Sequence, residues 1–180
     1  NPELHETTSL RPFDNAQGKL AQLARPKRSE GGGDMEITEH ENIPIIGWTG
    51  THSTLHQLEI IWPILDDLIN KIPFTFHIIS DVFPEMLPSY VRKVYWNKES
   101  EISDLLKFDI GIMPLKDNEW EKGKCGFKLI QYMALEIPSV ASDVGVNGEI
   151  LNSPELGFLI PSNDEHAWKE ALIKLLTDAD

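Results

Sequence analysis

Cysteine is nearly absent from this 180-residue chain, which contains only Cys125. A single thiol cannot form an intramolecular disulfide, and it cannot supply the ligands of a cysteine-rich structural zinc site. The six histidines are too scattered to indicate a metal site, so we expect no bound metal. An apolar core must therefore stabilise the fold, and 41% hydrophobic residues in a chain of this length are enough to build one.

Basic residues and long apolar runs are also scarce. The sequence has 16 Lys and Arg against 29 Asp and Glu, a net charge of −13, which argues against general nucleic-acid binding. No apolar run approaches the ~18 residues that a membrane span requires. The amino-terminal residues lack the basic-then-apolar order of a secretion signal, so we expect a cytoplasmic protein. The oligomeric state is left open by these features.

The composition changes near residue 43. Residues 1–42 contain few apolar side chains, several prolines and the run Gly31-Gly32-Gly33. The burial of so few apolar side chains cannot offset the conformational entropy that is lost on folding. We therefore predict a flexible, poorly structured leader over residues 1–42. We predict a single folded domain over residues 43–180.

From residue 43 onward, short apolar segments alternate with segments of helical periodicity. The apolar segments predict strands at 43–48, 74–79, 91–96, 109–113, 139–142 and 157–160. The periodic segments predict helices at 54–70, 99–108, 126–135, 148–151 and 164–177, with a long polar loop before residue 126 and a capping box at Thr54 and Gln57. Strands that are apolar on both faces and alternate with helices are typical of a parallel sheet covered on both sides. We therefore predict an α/β fold with a doubly wound parallel sheet, whose ligands bind beyond the carboxyl ends of the strands.

The loop after the first strand is one candidate binding site. Gly50 would let the backbone approach a ligand closely, and Thr51 offers a hydroxyl at the carboxyl end of the strand. A plain strand-to-helix turn explains the same residues equally well. Neither G-x-G-x-x-G nor G-x-x-x-x-G-K-[ST] occurs, so a dinucleotide fingerprint or a P-loop is not supported.

The segment Lys122–Lys128 is the most informative one, because it places three lysines and two glycines just before an apolar helix in an acidic chain. Lysines at a helix N-terminus oppose the helix dipole and therefore cost stability, unless a ligand supplies compensating negative charge. The segment therefore indicates a phosphate or diphosphate site, with Lys124 and Lys128 as its cations. The alternative is that the lysines are solvated and balance the acidic residues Asp117, Glu119 and Glu121.

Several motifs, in a fixed order, carry a family resemblance. They are Ile102-x-x-Leu105-x-x-x-Asp109-Ile110-Gly111-Ile112-Met113-Pro114, Gly123–Ala134, Ile137–Ser142 and Val144-Gly145-Val146-Asn147-x-Glu149-Ile150. On these motifs, the chain from Gly47 onward resembles the carboxyl-terminal, donor-binding half of retaining GT-B glycosyltransferases of the group 1 family. The resemblance implies a Rossmann-like domain that binds a nucleoside-diphosphate sugar as donor substrate, without a further cofactor.

The resemblance also assigns roles to individual residues. It places Gln131 where a family glutamate contacts the ribose. The family's Arg and Lys diphosphate pair after the first strand is not evident in this chain, so we expect Lys124 and Lys128 to neutralise the diphosphate leaving group instead. The family's other glutamate corresponds to Gly123, and its helix-ending glycine corresponds to Glu136, a less favourable residue in a left-handed cap. Further binding residues are expected in the loops that approach the donor: Gly50, Thr51, Trp96, Asn97, Gly126, Asn147 and Glu149. Trp96 either flanks the nucleobase or packs in the core, and Asn147 could also be a plain helix cap.

The expected activity is transfer of a hexosyl group from the nucleotide sugar to a hydroxyl acceptor, with the acceptor domain missing from this chain. Such a chain alone would turn over little. One alternative is a degenerate, non-catalytic nucleotide-binding module or a truncated gene product, which the residues at 123 and 131 favour. A GT-B-type sugar-nucleotide epimerase would need a carboxylate and histidine set that is not evident. A phosphorelay receiver would need acidic residues where Thr49 and Gly50 stand.

Overall fold

A computed structural model describes residues 43–162 and 164–177. The sheet has six strands: β1 (Ile45–Thr49), β2 (Thr75–Ser80), β3 (Val91–Tyr95), β4 (Ile110–Met113), β5 (Ser139–Ser142) and β6 (Gly157–Ile160). The helices are a 3₁₀ helix (His52–Ile60), α1 (Trp62–Leu68), α2 (Glu101–Leu105), α3 (Glu119–Lys122), α4 (Phe127–Ala134), α5 (Asn147–Ile150) and α6 (Glu165–Thr177). The leader predicted over 1–42 lies outside the described residues.

All strand pairings are parallel, and the strands lie in the order β3-β2-β1-β4-β5-β6. This order confirms the predicted doubly wound α/β sheet, in which the chain builds one half outward from β1 and then returns to build the other half from β4. Every predicted strand is present, within two residues of its predicted ends.

The core consists of two apolar clusters, because alternate residues of a strand point to opposite faces of the sheet. Ile112 and Val140 belong to a cluster with the 3₁₀ helix, α1 and α6, whereas Met113 and Ala141 belong to a cluster with α2, α4 and α5. Both strands are therefore buried on both faces, as their continuous apolar sequences predict.

The helix predicted over 54–70 differs from the structure. It is divided into the 3₁₀ helix and α1, because Pro63 has no backbone N–H and cannot continue the hydrogen-bond ladder of the preceding helix. The predicted capping box at Thr54 and Gln57 is wrong. The helix begins after Thr51, whose backbone N–H donates to Thr54 Oγ1 at 3.1 Å.

The loop predicted before residue 126 contains a short helix, α3. Asn118 caps it, since its side-chain oxygen accepts a hydrogen bond from the Glu121 N–H at 2.9 Å. Four residues are too few to show a helical period in the sequence. This short helix places the buried side chain of Glu121 behind the lysine-rich segment.

Candidate functional site

A cleft of about 520 Å³ opens at the carboxyl ends of the strands. Its wall includes Thr49 and Met113, the last residues of β1 and β4. These two strands are neighbours in the sheet, and the chain reverses its direction of winding between them. Open α/β sheets bind ligands at this kind of position. The remaining wall residues come from the loops after β1, β2 and β3, from the 3₁₀ helix, from α2, and from α4 and the segment before it: Gly50, Thr51, Thr54, Asp81, Trp96, Glu101, Lys124, Cys125, Gly126, Phe127, Lys128 and Gln131.

Hydrogen bonds hold the loop after β1 against the end of β2. The Gly50 N–H donates to the Ile79 carbonyl at 3.0 Å, and a Cβ at Gly50 would lie 2.3 Å from the Trp48 ring. The next contact joins His52 to Asp81, whose carboxylate accepts from the His52 N–H and pairs with the His52 ring, both at 2.7 Å. The hydrogen bond from the His52 ring is the main reason that the pKa of Asp81 falls to about 2. Asp81 therefore presents a carboxylate to the cleft at neutral pH.

Gly126 determines how α4 begins. It adopts a left-handed φ of +67°, a backbone conformation that favours glycine, and a Cβ there would meet the terminal methyl group of Ile150. No side chain caps the N-terminus of α4. The first N–H groups of a helix have no intrahelical partner, so this end of α4 offers donors and a positive dipole to an anion.

Two of the three clustered lysines reach the cleft without a counter-ion. Lys124 Nζ lies 5.4 Å from the centre of the Trp120 ring, and Lys128 Nζ lies 5.2 Å from that of the Trp48 ring. Within residues 43–162 and 164–177, no carboxylate oxygen lies within 4 Å of either ammonium group. The two cations are therefore available to an anionic ligand.

Lys122 has a different environment. Its ammonium group pairs with Asp117 at 3.0 Å and Glu119 at 3.4 Å, and its side chain does not line the cleft. The interpretation that these lysines only balance acidic neighbours is therefore correct for Lys122 alone.

Lys128 is the more buried of the two cleft lysines. Burial, followed by the nearby charge of Lys124, lowers the pKa of Lys128 to about 8. Its ammonium donates to Gln57 Oε1 at 3.3 Å, and Gln57 Nε2 in turn donates to the buried Glu121 carboxylate at 2.9 Å. Glu121 also accepts from His56 Nε2 at 2.9 Å. This chain of contacts holds the Lys128 side chain in the cleft.

The cleft brings together seven of the ten residues that the sequence predicts for the site: Gly50, Thr51, Trp96, Lys124, Gly126, Lys128 and Gln131. Trp96 is 49% exposed, so the alternative that it packs in the core is wrong. Their roles in binding and catalysis stay predictions.

Three predicted residues do not line the cleft. Asn97 is exposed and accepts a hydrogen bond from the Glu99 N–H at 2.8 Å. Asn147 is buried and donates from Nδ2 to the Ser142 carbonyl at 2.9 Å, which joins α5 to the end of β5. Asn147 is not a helix cap either, because the N-cap is Val146. Glu149 is exposed on α5, away from the wall of the cleft.

Sequence reasoning missed two carboxylates in the wall, Asp81 and Glu101. Asp81 directly follows a buried strand, and the carboxyl ends of parallel strands share one edge of the sheet, so its position along the chain could have indicated it. Glu101 lies at the start of α2, and its approach to α4 depends on how the two helices pack. No local sequence pattern indicates how α2 and α4 pack against each other.

No helix within the described ranges is long and apolar enough to cross a membrane. Likewise, among the residues that the structure describes, no three His, Cys, Asp or Glu side chains are grouped as metal ligands.

Solved structures with the same fold include the glycosyltransferase SnogD from Streptomyces nogalater, at 20% identity and a TM-score of 0.52, with 89% of this chain and 46% of that chain covered. An E. coli trehalose-6-phosphate structure bound with UDP-2-fluoro glucose has 13% identity and a TM-score of 0.56, with coverages of 89% and 42%. A trehalose-6-phosphate synthase studied for glycosyl transfer with retention has 14% identity and the same TM-score and coverages. The chain thus spans less than half the length of these proteins.

No curated protein matches the chain significantly. The family model described as glycosyl transferases group 1 matches residues 43–178, a range that includes every residue that the structure describes. The chain belongs to the glycosyl transferases group 1 family.

Proposed function

We propose that this chain is the donor-binding half of a retaining glycosyltransferase. It would bind a nucleoside-diphosphate sugar, whose hexosyl group passes to the hydroxyl of an acceptor. The observation that carries the proposal is the pair of cleft lysines, Lys124 and Lys128, which lack carboxylate partners within the described residues and lie beside the uncapped N-terminus of α4.

The arrangement suits the departure of a diphosphate. When the bond between the sugar and the diphosphate breaks, negative charge increases on the leaving group, and fixed cations and helix N–H groups stabilise that charge. With a pKa of about 8, Lys128 is still mostly a cation at neutral pH and can contact the diphosphate. We propose that both lysines act on the diphosphate, together with the N–H groups at the uncapped start of α4.

Support for the donor class comes from the family and from the structural relatives. The E. coli structure is bound with a UDP-sugar analogue, and the related synthase transfers with retention. Because the chain spans less than half of these proteins, we propose that an acceptor-binding domain completes the cleft and that this chain alone turns over little. A cytoplasmic location stays a prediction.

Titration of the chain with nucleotides tests the proposal. A thermal-shift panel of UDP-, GDP-, ADP- and CMP-sugars should reveal a stabilising ligand, since a ligand that binds the native state raises the melting temperature. Calorimetry should then show that Lys124→Ala weakens UDP or GDP binding by about tenfold, as expected for the loss of a contact worth roughly 1.4 kcal/mol.

Lys122→Ala is the matched control, because Lys122 belongs to the same segment but is ion-paired outside the cleft. It should leave binding within about twofold of the original, which is roughly 0.4 kcal/mol. Absence of binding at millimolar nucleotide, or an equal loss in both variants, would contradict the proposal.

A further inference from the structure

The buried side chain of Gln57 lies between a cation and a carboxylate. Gln57 belongs to the 3₁₀ helix and is 1% exposed, and Glu121 of α3 is equally buried. Gln57 Oε1 accepts from Lys128 Nζ at 3.3 Å, while Gln57 Nε2 donates to Glu121 Oε2 at 2.9 Å. Lys128 lines the cleft and Gln57 does not, so the amide contacts the ammonium group from the interior of the protein.

The orientation of this amide is fixed from both ends. An ammonium group only donates hydrogen bonds, so it requires the amide oxygen, and an ionised carboxylate only accepts them, so it requires the amide nitrogen. A rotation of the amide by a half-turn would place N–H groups against the ammonium group and the carbonyl oxygen against the carboxylate. Both contacts would then be lost at a buried position, where unsatisfied polar groups are costly.

The Glu121 carboxylate is also held away from the ammonium group. Its Oε1 accepts from His56 Nε2 at 2.9 Å and its Oε2 accepts from Gln57, so both oxygens already have donors. In the described part of the chain, no carboxylate oxygen lies within 4 Å of Lys128 Nζ. A neutral oxygen thus anchors the ammonium group without cancelling its charge.

Glu121 nevertheless acts on the lysine through its own charge. Burial and the charge of Lys124 lower the pKa of Lys128, whereas Glu121 and, to a smaller degree, Cys125 act in the opposite direction. The carboxylate therefore favours the protonated lysine, although a neutral amide separates the two groups. The protonated lysine is the form that an anionic ligand needs.

We infer that Gln57 is a positioning residue for Lys128, and that it lets the buried Glu121 favour the charged lysine without forming an ion pair with it. The inference rests on the proposed function, because it concerns a lysine that we assign to the diphosphate. It gives a role in ligand binding to two residues that do not line the cleft.

A double-mutant cycle on nucleotide binding tests the contact between Gln57 and Lys128. Calorimetry would measure the affinity of the unmodified chain, Gln57→Met, Lys128→Met and the double variant for UDP and GDP. Each single substitution should weaken binding, by about fivefold for Gln57→Met and by about tenfold for Lys128→Met. In the Lys128→Met chain, Gln57→Met should change the affinity by no more than about twofold, because its effect depends on the ammonium group.

Lys124→Ala supplies the control cycle, because the Lys124 ammonium group lies over Trp120 instead. In this background, Gln57→Met should weaken binding by the same factor as in the unmodified chain. An equal loss in all three backgrounds, or unchanged binding in Gln57→Met, would overturn the inference while the proposed function stands. Failure of every nucleotide to bind the unmodified chain would overturn both.

The pH profile of binding tests the part that Glu121 plays. Glu121→Gln keeps the size of the side chain and removes its charge, so Lys128 should lose its proton at a lower pH. When the pH is raised from about 7 to about 9, nucleotide binding should therefore weaken earlier in this variant than in the unmodified chain.

Glu119→Gln is the control on the same helix, since Glu119 is exposed and contacts only Lys122. It should leave the pH profile unchanged, and melting temperatures would show that each variant is folded. Identical profiles for Glu121→Gln and the unmodified chain would contradict the inference.

Discussion

At the residue scale, the three lysines of one short segment have three different environments. Lys122 pairs with two carboxylates, Lys124 lies over Trp120, and Lys128 is partly buried over Trp48. The cost of burying a charge falls mainly on Lys128, which explains why its pKa is lowered. A site for an anion is a physical reason to keep a cation in such a place.

The lowered pKa predicts how stability depends on pH. Lysine has a pKa of 10.5 before burial, and Lys128 has one of about 8 in the folded chain. Between these values the unfolded chain binds more protons, so the free energy of unfolding should rise with pH there. Below pH 8, Lys128 is protonated in both the folded and the unfolded chain, so the full cost of burying its charge lowers the free energy of unfolding. Lys128→Met should therefore stabilise the chain at pH 7 by about 1–3 kcal/mol, and this gain should shrink from pH 8 to 10.5.

Urea denaturation across this pH range measures the effect. Lys71→Met is the control, because Lys71 is exposed and pairs with Asp67 four residues earlier. That variant should be slightly destabilised, by roughly 0.3–0.5 kcal/mol, without a step near pH 8. A Lys128→Met variant that is less stable than the original at pH 7 would show that the ammonium group is not destabilising.

Glu136 is the only residue other than glycine with a positive φ, +57°, among the residues that the structure describes. It follows the C-cap of α4, where the family resemblance predicts a glycine. A side chain with a Cβ is strained in this conformation by about 1–2 kcal/mol. Glu136→Gly should therefore stabilise the chain by about 0.5–1 kcal/mol, after the greater entropy of glycine in the unfolded chain is subtracted.

The measurement is the melting temperature of this variant beside Glu136→Ala. Alanine removes the same exposed carboxylate but keeps the Cβ, so it should give no comparable gain. Equal stabilisation by the two substitutions would assign the effect to lost negative charge instead of backbone strain.

At the element scale, the short helix α3 supports the site more than its length suggests. Its buried Glu121 accepts hydrogen bonds from His56 and Gln57 of the 3₁₀ helix, and Gln57 contacts Lys128. Side chains of two helices thus converge behind one cationic group, Lys128 of α4. A buried carboxylate with two side-chain donors joins these elements better than a surface ion pair could.

Glu121→Ala should lower the free energy of unfolding by about 2 kcal/mol, because it leaves the buried Gln57 amide without its acceptor. Urea denaturation at pH 7 would measure this. Glu119→Ala is the matched control on the same helix, since Glu119 is exposed and makes only a long contact to Lys122. It should cost less than about 0.5 kcal/mol. Equal effects of the two substitutions would exclude a structural role for the buried carboxylate.

At the scale of the whole molecule, the cleft is a consequence of strand order. The chain winds from β1 to β3 on one side and from β4 to β6 on the other, so the loops after β1 and β4 diverge and leave a gap. Loops that are distant along the chain supply its wall, including Gly50, Asp81 and Trp96. In a chain with a net charge of −13, the cations at this gap distinguish it from the rest of the surface.

Much of this organisation could be predicted from the sequence, because it depends on local patterns. Apolar runs indicated the strands, and the glycines and lysines between residues 122 and 128 indicated residues that line the cleft at the start of α4. That this segment binds an anion stays a prediction. The break at Pro63 was missed, although the residue itself signals it. The helix α3 was missed because four residues carry no period.

The sequence by itself determined the α/β class, the position of each strand, the motifs of the family and the one segment rich in cations. The tertiary structure decided which of those cations are free of carboxylates within the described part of the chain, and that Glu101 meets Gln131 from another helix. It also decided that Asn147 is buried and bonded to the end of β5 instead of lining the cleft. The physical reason is that burial and pairing depend on distances between elements, whereas the pattern of a sequence reports only the neighbours along the chain.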